Sequence, residues 1–335
     1  MEALRLLVGL LPVVLFLAGL LLLDSYKLVT RRGVALSLAA GVAAALVALV
    51  VNGWFLGGAG LDERIVTRYV APVVEESLKA AFVLWLIRAE RVGFMVDAGI
   101  HGFAAGTGFA LVENLYYAGT LGDAGLGLWI VRGLGTAVMH GSTTAIVGIL
   151  SKNLVDRHES KALVWLLPGL SIAIVVHSLF NHFVLNPLLS TALLIVLMPL
   201  LVVAVFERSE RATRDWLGAG LDSDVELLEL ILSGEIRSSH AGEYLESLRT
   251  RFPGAVVADM LCYLQIYLEL ALRAKGVLIA RAAGVTVPVD PAVRANFEEM
   301  RFLERSIGPT GKLAVLPLLR TSGRDLWQLT MLGKA

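Results

Sequence analysis

About seven times between residues 4 and 206 the sequence runs for roughly 20 residues with few or no charges, the length that an α-helix needs to cross a bilayer. No other feature constrains the fold as much. In lipid every backbone N–H and C=O must be satisfied within the protein, which leaves helices and closed barrels, and runs of this length select helices. The expected spans are 4–23, 34–56, 69–87, 94–118, 126–150, 164–183 and 188–206. The first has no small-residue cleavage site before Asp24 and reads as a retained anchor rather than a signal peptide. Composition agrees: 56% of residues are hydrophobic, 17% are charged and mean hydropathy is +0.73, against about 25% charged in a typical soluble domain. Zero net charge and a pI of about 7.0 give no electrostatic case for nucleic acid. The single Cys262 excludes an intramolecular disulfide and a thiolate metal cluster.

Loop charges give an orientation. Lys27, Arg31 and Arg32, then Arg88 and Arg91, then Lys152, Arg157 and Lys161, then Arg208, Arg211 and Arg214 all fall on one side if the N-terminus is outside. The other side holds Arg5, Arg64 and Arg68. The positive-inside rule therefore places the N-terminus outside and the C-terminus in the cytoplasm.

The expected fold is all-α: a polytopic membrane helix bundle over residues 1–206, followed by a helical cytoplasmic domain over 207–335. Charges become frequent after Phe206, and Val257, Leu261, Leu264, Leu268 and Leu272 recur at helical spacing. Asp259, Glu269 and Arg273 make that segment a poor span. Asp290 caps a predicted helix through Ile307, with Pro291 at its first position. GPTGKL at 308–313 lacks the spacing and the Ser/Thr of a phosphate loop and reads as a turn.

Inside the spans the polar residues are the informative ones. A carboxylate at the bilayer centre costs about 2.5–3.5 kcal/mol on insertion scales, yet VVEESLKAAF at 73–82 carries two. Glu75 and Lys79, four apart, share a face and are placed to pair; Glu76, turned about 100° away, needs another partner. Span four has Gly102 and Gly106 at the spacing that lets helix backbones approach closely, with Asp97, His101, Glu113 and Asn114 along it. His101 reads as a satisfied interior histidine. Arg132, Thr136 and His140 form a stripe on span five, where Arg132 is long enough to snorkel to the outer interface. His177 and Asn181 share a face of span six, while His182 points elsewhere. At 1.5 Å rise per residue, Glu75, Glu76, Glu113, His140, His177 and Asn181 fall in one layer of the outer half, within roughly 10 Å of one another.

Two histidines and a carboxylate are a zinc ligand set with one position open for water. Zinc lowers the pKa of that water, a second carboxylate can take its proton, and an amide such as that of Asn181 can donate to an oxyanion. The set suffices for amide hydrolysis. There is no Asp pair in YD and GxGD context and no GxSG serine context.

The chain resembles the PrsW-type intramembrane proteases, distant relatives of the CAAX-processing and bacteriocin-immunity (Abi) membrane proteases. EESLK at 75–79, FALVEN at 109–114, His140, and HSLFN at 177–181 carry the resemblance, in that order, across about residues 1–206. Glu113 stands where the CAAX branch usually has His. The resemblance implies a bacterial cell-membrane enzyme that cuts a single-span anti-sigma factor on its extracytoplasmic side and so begins release of a sigma factor.

The resulting expectation is a metal-dependent endopeptidase. Glu75 or Glu76 acts as general base, Glu113, His140 and His177 hold zinc, and Asn181 lies near the oxyanion. Variants make Glu76 a ligand, or dispense with metal. The expected partners are a single-span membrane substrate and membrane lipid. The C-terminal domain leaves a regulatory or dimerising role, and hence a homo-oligomer, open. The rivals from other classes are a proton- or ion-coupled transporter, against which no inverted repeat is evident, and a non-catalytic membrane sensor.

Overall fold

The computed structural model describes residues 2–120, 125–158, 162–285, 287–288, 290–319 and 322–333, with the side chains of residues 2, 3, 5 and 6 left aside. Two cations in the orientation argument, Lys161 and the side chain of Arg5, lie outside this set. Every regular element among the described residues is helical: α1 (Glu2–Leu23), α2 (Arg31–Gly53), α3 (Ala71–Arg88), α4 (Met95–Thr120), α5 (Ala137–His158), α6 (Leu167–Asn181), α7 (Pro187–Ser233), α8 (His240–Leu248), α9 (Gly254–Ala282), α10 (Pro291–Val315) and α11 (Gly323–Leu332). Contacts divide the chain into two units, Met1–Ser209 and Glu210–Ala335.

The first unit is an all-α bundle built around α4. The most apolar stretch of that helix is 89% buried, against 28% for the α2 region and 11% for α7, so α4 is the axis and α2, α6 and α7 are the rind. Its small residues explain why. A methyl group on Gly106 would sit 2.2 Å from the His140 carbonyl oxygen, and one on Gly102 2.5 Å from that of Thr144. On another side, Gly108 meets the Leu38 carbonyl and Gly41 that of Ala105 at comparable range. The GxxxG pair thus lets α5 lie against α4 backbone to backbone, which fixes where His140 stands. Asp97 closes the start of α4 by accepting from the N–H groups of Gly93 and Phe94 at 2.7 and 2.8 Å. Leu15, Leu22, Val50 and Leu200 on the rind are 60–80% exposed, the pattern of a surface whose solvent is lipid.

Among the described residues six helices are long and apolar enough to cross a membrane, five of them beginning in the first unit. Two expected spans fall outside that group. Residues 7–23 form a shorter apolar helix, and α3 carries Glu75, Glu76, Lys79 and Arg88 within 18 residues. The sixth is α9, which qualifies by length and composition, although Met260, Leu264, Leu268 and Ala271 are buried in the core of the second unit.

Several boundaries depart from expectation. The helix that carries the last apolar span does not end with it: α7 runs on through Gly218 and Gly220 to Ser233, until Gly234, at φ 79°, turns the chain. Spans three and five contain π-helical turns, Val66–Val70 and Val131–Thr136. In the second unit, Asp290 caps α10 by accepting from the Ala292 N–H. At 308–313 the chain breaks helical geometry at Gly308 (φ 68°) and then resumes it to Val315, and Lys312 pairs with Glu304.

Candidate functional site

Glu75 and Glu76 sit on α3 just past a local irregularity that positions them. In the π-turn the N–H of Ala71 reaches back to the Val66 carbonyl, one residue further than in an α-helix, and Pro72 has no N–H to give. The carbonyls of Thr67 and Arg68 are thereby left without their usual helical donors. Both are taken up by α6: the Ser178 hydroxyl donates to Arg68 at 2.6 Å and the Asn181 amide to Thr67 at 2.9 Å. This clasp brings His177, the neighbour of Ser178, against α3.

The two imidazoles are held from behind by their Nδ1 atoms. His177 Nδ1 lies 2.8 Å from Glu76 Oε1, and His140 Nδ1 lies 3.0 Å from Lys79 Nζ. Lys79 also donates to Glu76 Oε1 at 2.7 Å, which ties the two holders together. All four groups are buried. Lys79 therefore pairs with Glu76, three residues away, and not with Glu75 as helical spacing also allows. Glu76 finds the partners that it lacked in the sequence reading.

In front, the Nε2 atoms face two other carboxylates. His140 Nε2 is 2.9 Å from Glu113 Oε2, and His177 Nε2 is 3.9 Å from Glu75 Oε2. The rings stand perpendicular with centroids 4.8 Å apart. Donor atoms of Glu75, His140 and His177 all lie within 4.8 Å of one another, and Glu113 joins them through His140. Arg132 is a residue that sequence reasoning misplaced. It is buried rather than snorkelling, its Nε donates to Asn114 Oδ1 at 3.0 Å, its Nη2 is 3.4 Å from Glu113, and it stacks on Tyr117 at 3.7 Å. Asn114 in turn donates to the Gly9 carbonyl of α1 at 2.8 Å. Nothing in the sequence separates a snorkelling arginine from a buried one, because that depends on which helix stands beside it.

Glu75, Glu113, Arg132, His177 and Asn181 line one cavity of about 680 Å³, and Glu76 and Lys79 do not. The second glutamate is behind the rings, the first in front of them. Asn52, on α2, also lines this cavity and donates to Glu75 Oε1 at 3.1 Å. The other candidates lie elsewhere in the network: His101 bonds Ser37 at 2.8 Å and His182 bonds the Ser178 carbonyl at 2.7 Å.

The front atoms suit a metal ion. Ligand atoms around tetrahedral zinc are about 3.3 Å apart, given bonds of about 2.0–2.1 Å; here the donor atoms of Glu75, His140 and His177 lie within 4.8 Å of one another, and Glu113 is 2.9 Å from His140. The contact between His177 and Glu76 is of the kind that orients a ligating imidazole, which donates its other N–H to a carboxylate. Charge points the same way. Ionised Glu75, Glu76 and Glu113 face the two cations Lys79 and Arg132, leaving one buried negative charge that a cation or a proton has to offset.

Fold and site together define a polytopic membrane protein with a buried Glu/His centre at a cavity. The family described as PrsW family intramembrane metalloprotease matches residues 30–206, a range that includes every side chain of this site. The chain belongs to that family, a family of intramembrane proteases. Neither the curated proteins nor the solved structures offer a significant match.

Proposed function

We propose that this protein is a metal-dependent endopeptidase that cuts a single-span membrane protein, with an anti-sigma factor as the expected substrate class. The observation that carries the metal reading is the shared orientation of the two histidines, held behind at Nδ1 by Glu76 and Lys79 and presenting Nε2 to the carboxylates at the cavity. His140, His177 and Glu113 would hold the ion, with Glu75, which shares the 4.8 Å group with both imidazoles, as the alternative third ligand; zinc is the metal that this donor set suits best. When bound, zinc polarises the scissile carbonyl and makes water acidic enough to attack near neutral pH.

The residues of the chain supply the remainder. Glu75, the front carboxylate with one oxygen turned to His177 Nε2, takes the proton of the attacking water and passes it to the leaving amine. Glu76 does not face the cavity and acts on His177 alone. Asn181 uses one amide hydrogen on Thr67 and has a second to offer an oxyanion. Arg132 keeps Glu113 beside His140. A lysine ammonium can only donate, so His140 Nδ1 accepts from Lys79 and Nε2 carries the proton towards Glu113. An ion bound at Nε2 would require the imidazole to carry its hydrogen on Nδ1, which Lys79 can supply by passing one of its own across and then accepting from it as a neutral amine.

The loop charges support a topology with the N-terminus outside and residues 207–335 in the cytoplasm of a bacterial cell, which puts the site in the outer half of the membrane. Purified protein in liposomes with a single-span test protein decides the matter. The parent chain is expected to cut it and to carry one zinc, and Glu75→Ala, His140→Ala and His177→Ala are expected to leave it whole. Cleavage that survives in all three variants, or in metal-free protein after chelation, rejects this reading.

A further inference from the structure

Asn52 is the one amide in the apolar stretch AALVALVVNGWF, near the end of α2. A half-buried amide on a membrane helix needs a reason, since its desolvation is recovered only through hydrogen bonds. Among the described residues its Oδ1 has no partner, and its Nδ2 donates to Glu75 Oε1 at 3.1 Å. The amide cannot be turned round to advantage, because Oδ1 would then face a carboxylate oxygen. Glu75 has two oxygens with different surroundings: Oε1 is taken by Asn52, and Oε2 faces His177 Nε2 at 3.9 Å. Asn52 and Glu75 come from different helices, and both line the cavity.

We propose that Asn52 is a positioning residue for the hydrolysis: its amide N–H pins one oxygen of Glu75 and so aims the other at the reacting centre. This rests on the protease reading above. Glu75 follows a π-turn on α3, and its long side chain has several rotamers open to it that the backbone alone does not fix. Without the pin the carboxylate is free to swing to other rotamers within the cavity, and the productive geometry becomes one of several. The role depends on a donor at this place and not on the volume of the side chain.

The test separates donor from shape. Asn52→Asp keeps the shape and loses the donor, Asn52→Leu suits an apolar helix and loses it as well, and Asn52→Gln keeps it on a longer stem. Cleavage of a single-span test protein in liposomes is measured for each beside the parent and Glu75→Ala, with thermal unfolding as a check on the fold. The expected result is a fall in kcat of about 10- to 100-fold for Asp and Leu, the range for loss of a supporting hydrogen bond. KM is expected to stay within about twofold, because Asn52 acts through Glu75, and the Gln variant should recover part of the loss. If Asp and Leu cut at the parental rate while Glu75→Ala does not, Asn52 positions nothing and the inference is wrong, with the protease reading intact. A raised KM at unchanged kcat overturns it too, making Asn52 a substrate contact. A parent chain that cuts nothing removes both readings.

Discussion

His177 Nδ1 lies 2.8 Å from Glu76 Oε1, and this contact assigns the two adjacent glutamates to opposite sides of the imidazole. Glu76 and Lys79 form a rear wall, while Glu75 looks into the cavity. Two residues that are neighbours in sequence therefore have different work, and exchanging their roles by mutation should not be possible.

Glu75→Gln is expected to abolish turnover and leave stability nearly unchanged, since the carboxamide still accepts from Asn52. Glu76→Gln takes the counter-charge from a buried Lys79, for which a loss of about 3 kcal/mol is expected. It should also weaken metal binding by about 10- to 100-fold through the loosened His177. Thermal unfolding and zinc titration of both variants check this pair of outcomes. Equal effects on stability would contradict the front-and-rear arrangement.

Metal binding should release a proton. In the arrangement described, an ion at His140 Nε2 would displace the hydrogen shared with Glu113 while Lys79 passes one to Nδ1, so that the imidazole stays neutral and the Lys79–His140 pair loses one proton in all. Affinity is therefore expected to fall as pH falls, and chelation should lower the unfolding temperature as well as stop cleavage. At a hundredfold excess over Kd the stabilisation is about 2.7 kcal/mol. Calorimetry in buffers of different ionisation enthalpy measures the proton. The absence of both proton release and thermal stabilisation would count against zinc at this place.

Gly106 holds the His140 backbone close to α4. A methyl group there meets the His140 carbonyl oxygen at 2.2 Å, whereas one on Gly127 meets nothing within 4 Å. Gly106→Ala is expected to cost about 1–3 kcal/mol by overpacking and to reduce kcat by displacing His140. Gly127→Ala, the control, should do neither. Unfolding curves and initial rates for the two variants give the comparison.

The clasp between α6 and the π-turn is separable from the chemistry. Ser178→Ala leaves the Arg68 carbonyl without its hydroxyl donor and should lower stability by about 1 kcal/mol, with cleavage close to parental. Asn181→Leu removes the bond to Thr67 and the second amide hydrogen together, so it should lower both stability and kcat. If Asn181→Leu lowers stability alone, Asn181 is a clasp and not an oxyanion donor.

The sequence by itself determined that the first part of this chain is a set of apolar helices, because length and hydropathy are local properties and lipid admits few alternatives to the helix. It also picked out Glu75, Glu76, Glu113, His140 and His177, because ionisable groups in such segments are too costly to be incidental. The end of α7 and the π-turns were not legible: a helix continues until something stops it, and a one-residue slip in hydrogen bonding leaves no compositional mark. Only the tertiary structure decided which partner each polar group takes. Spacing allows Glu75–Lys79 and Glu76–Lys79 equally, and a long arginine suits an interface or an interior equally. The choice falls to the neighbouring helices. Gly102 and Gly106 set how near α5 comes, Pro72 and the π-turn set where α6 attaches, and the positions of His140 and His177 follow from those two contacts.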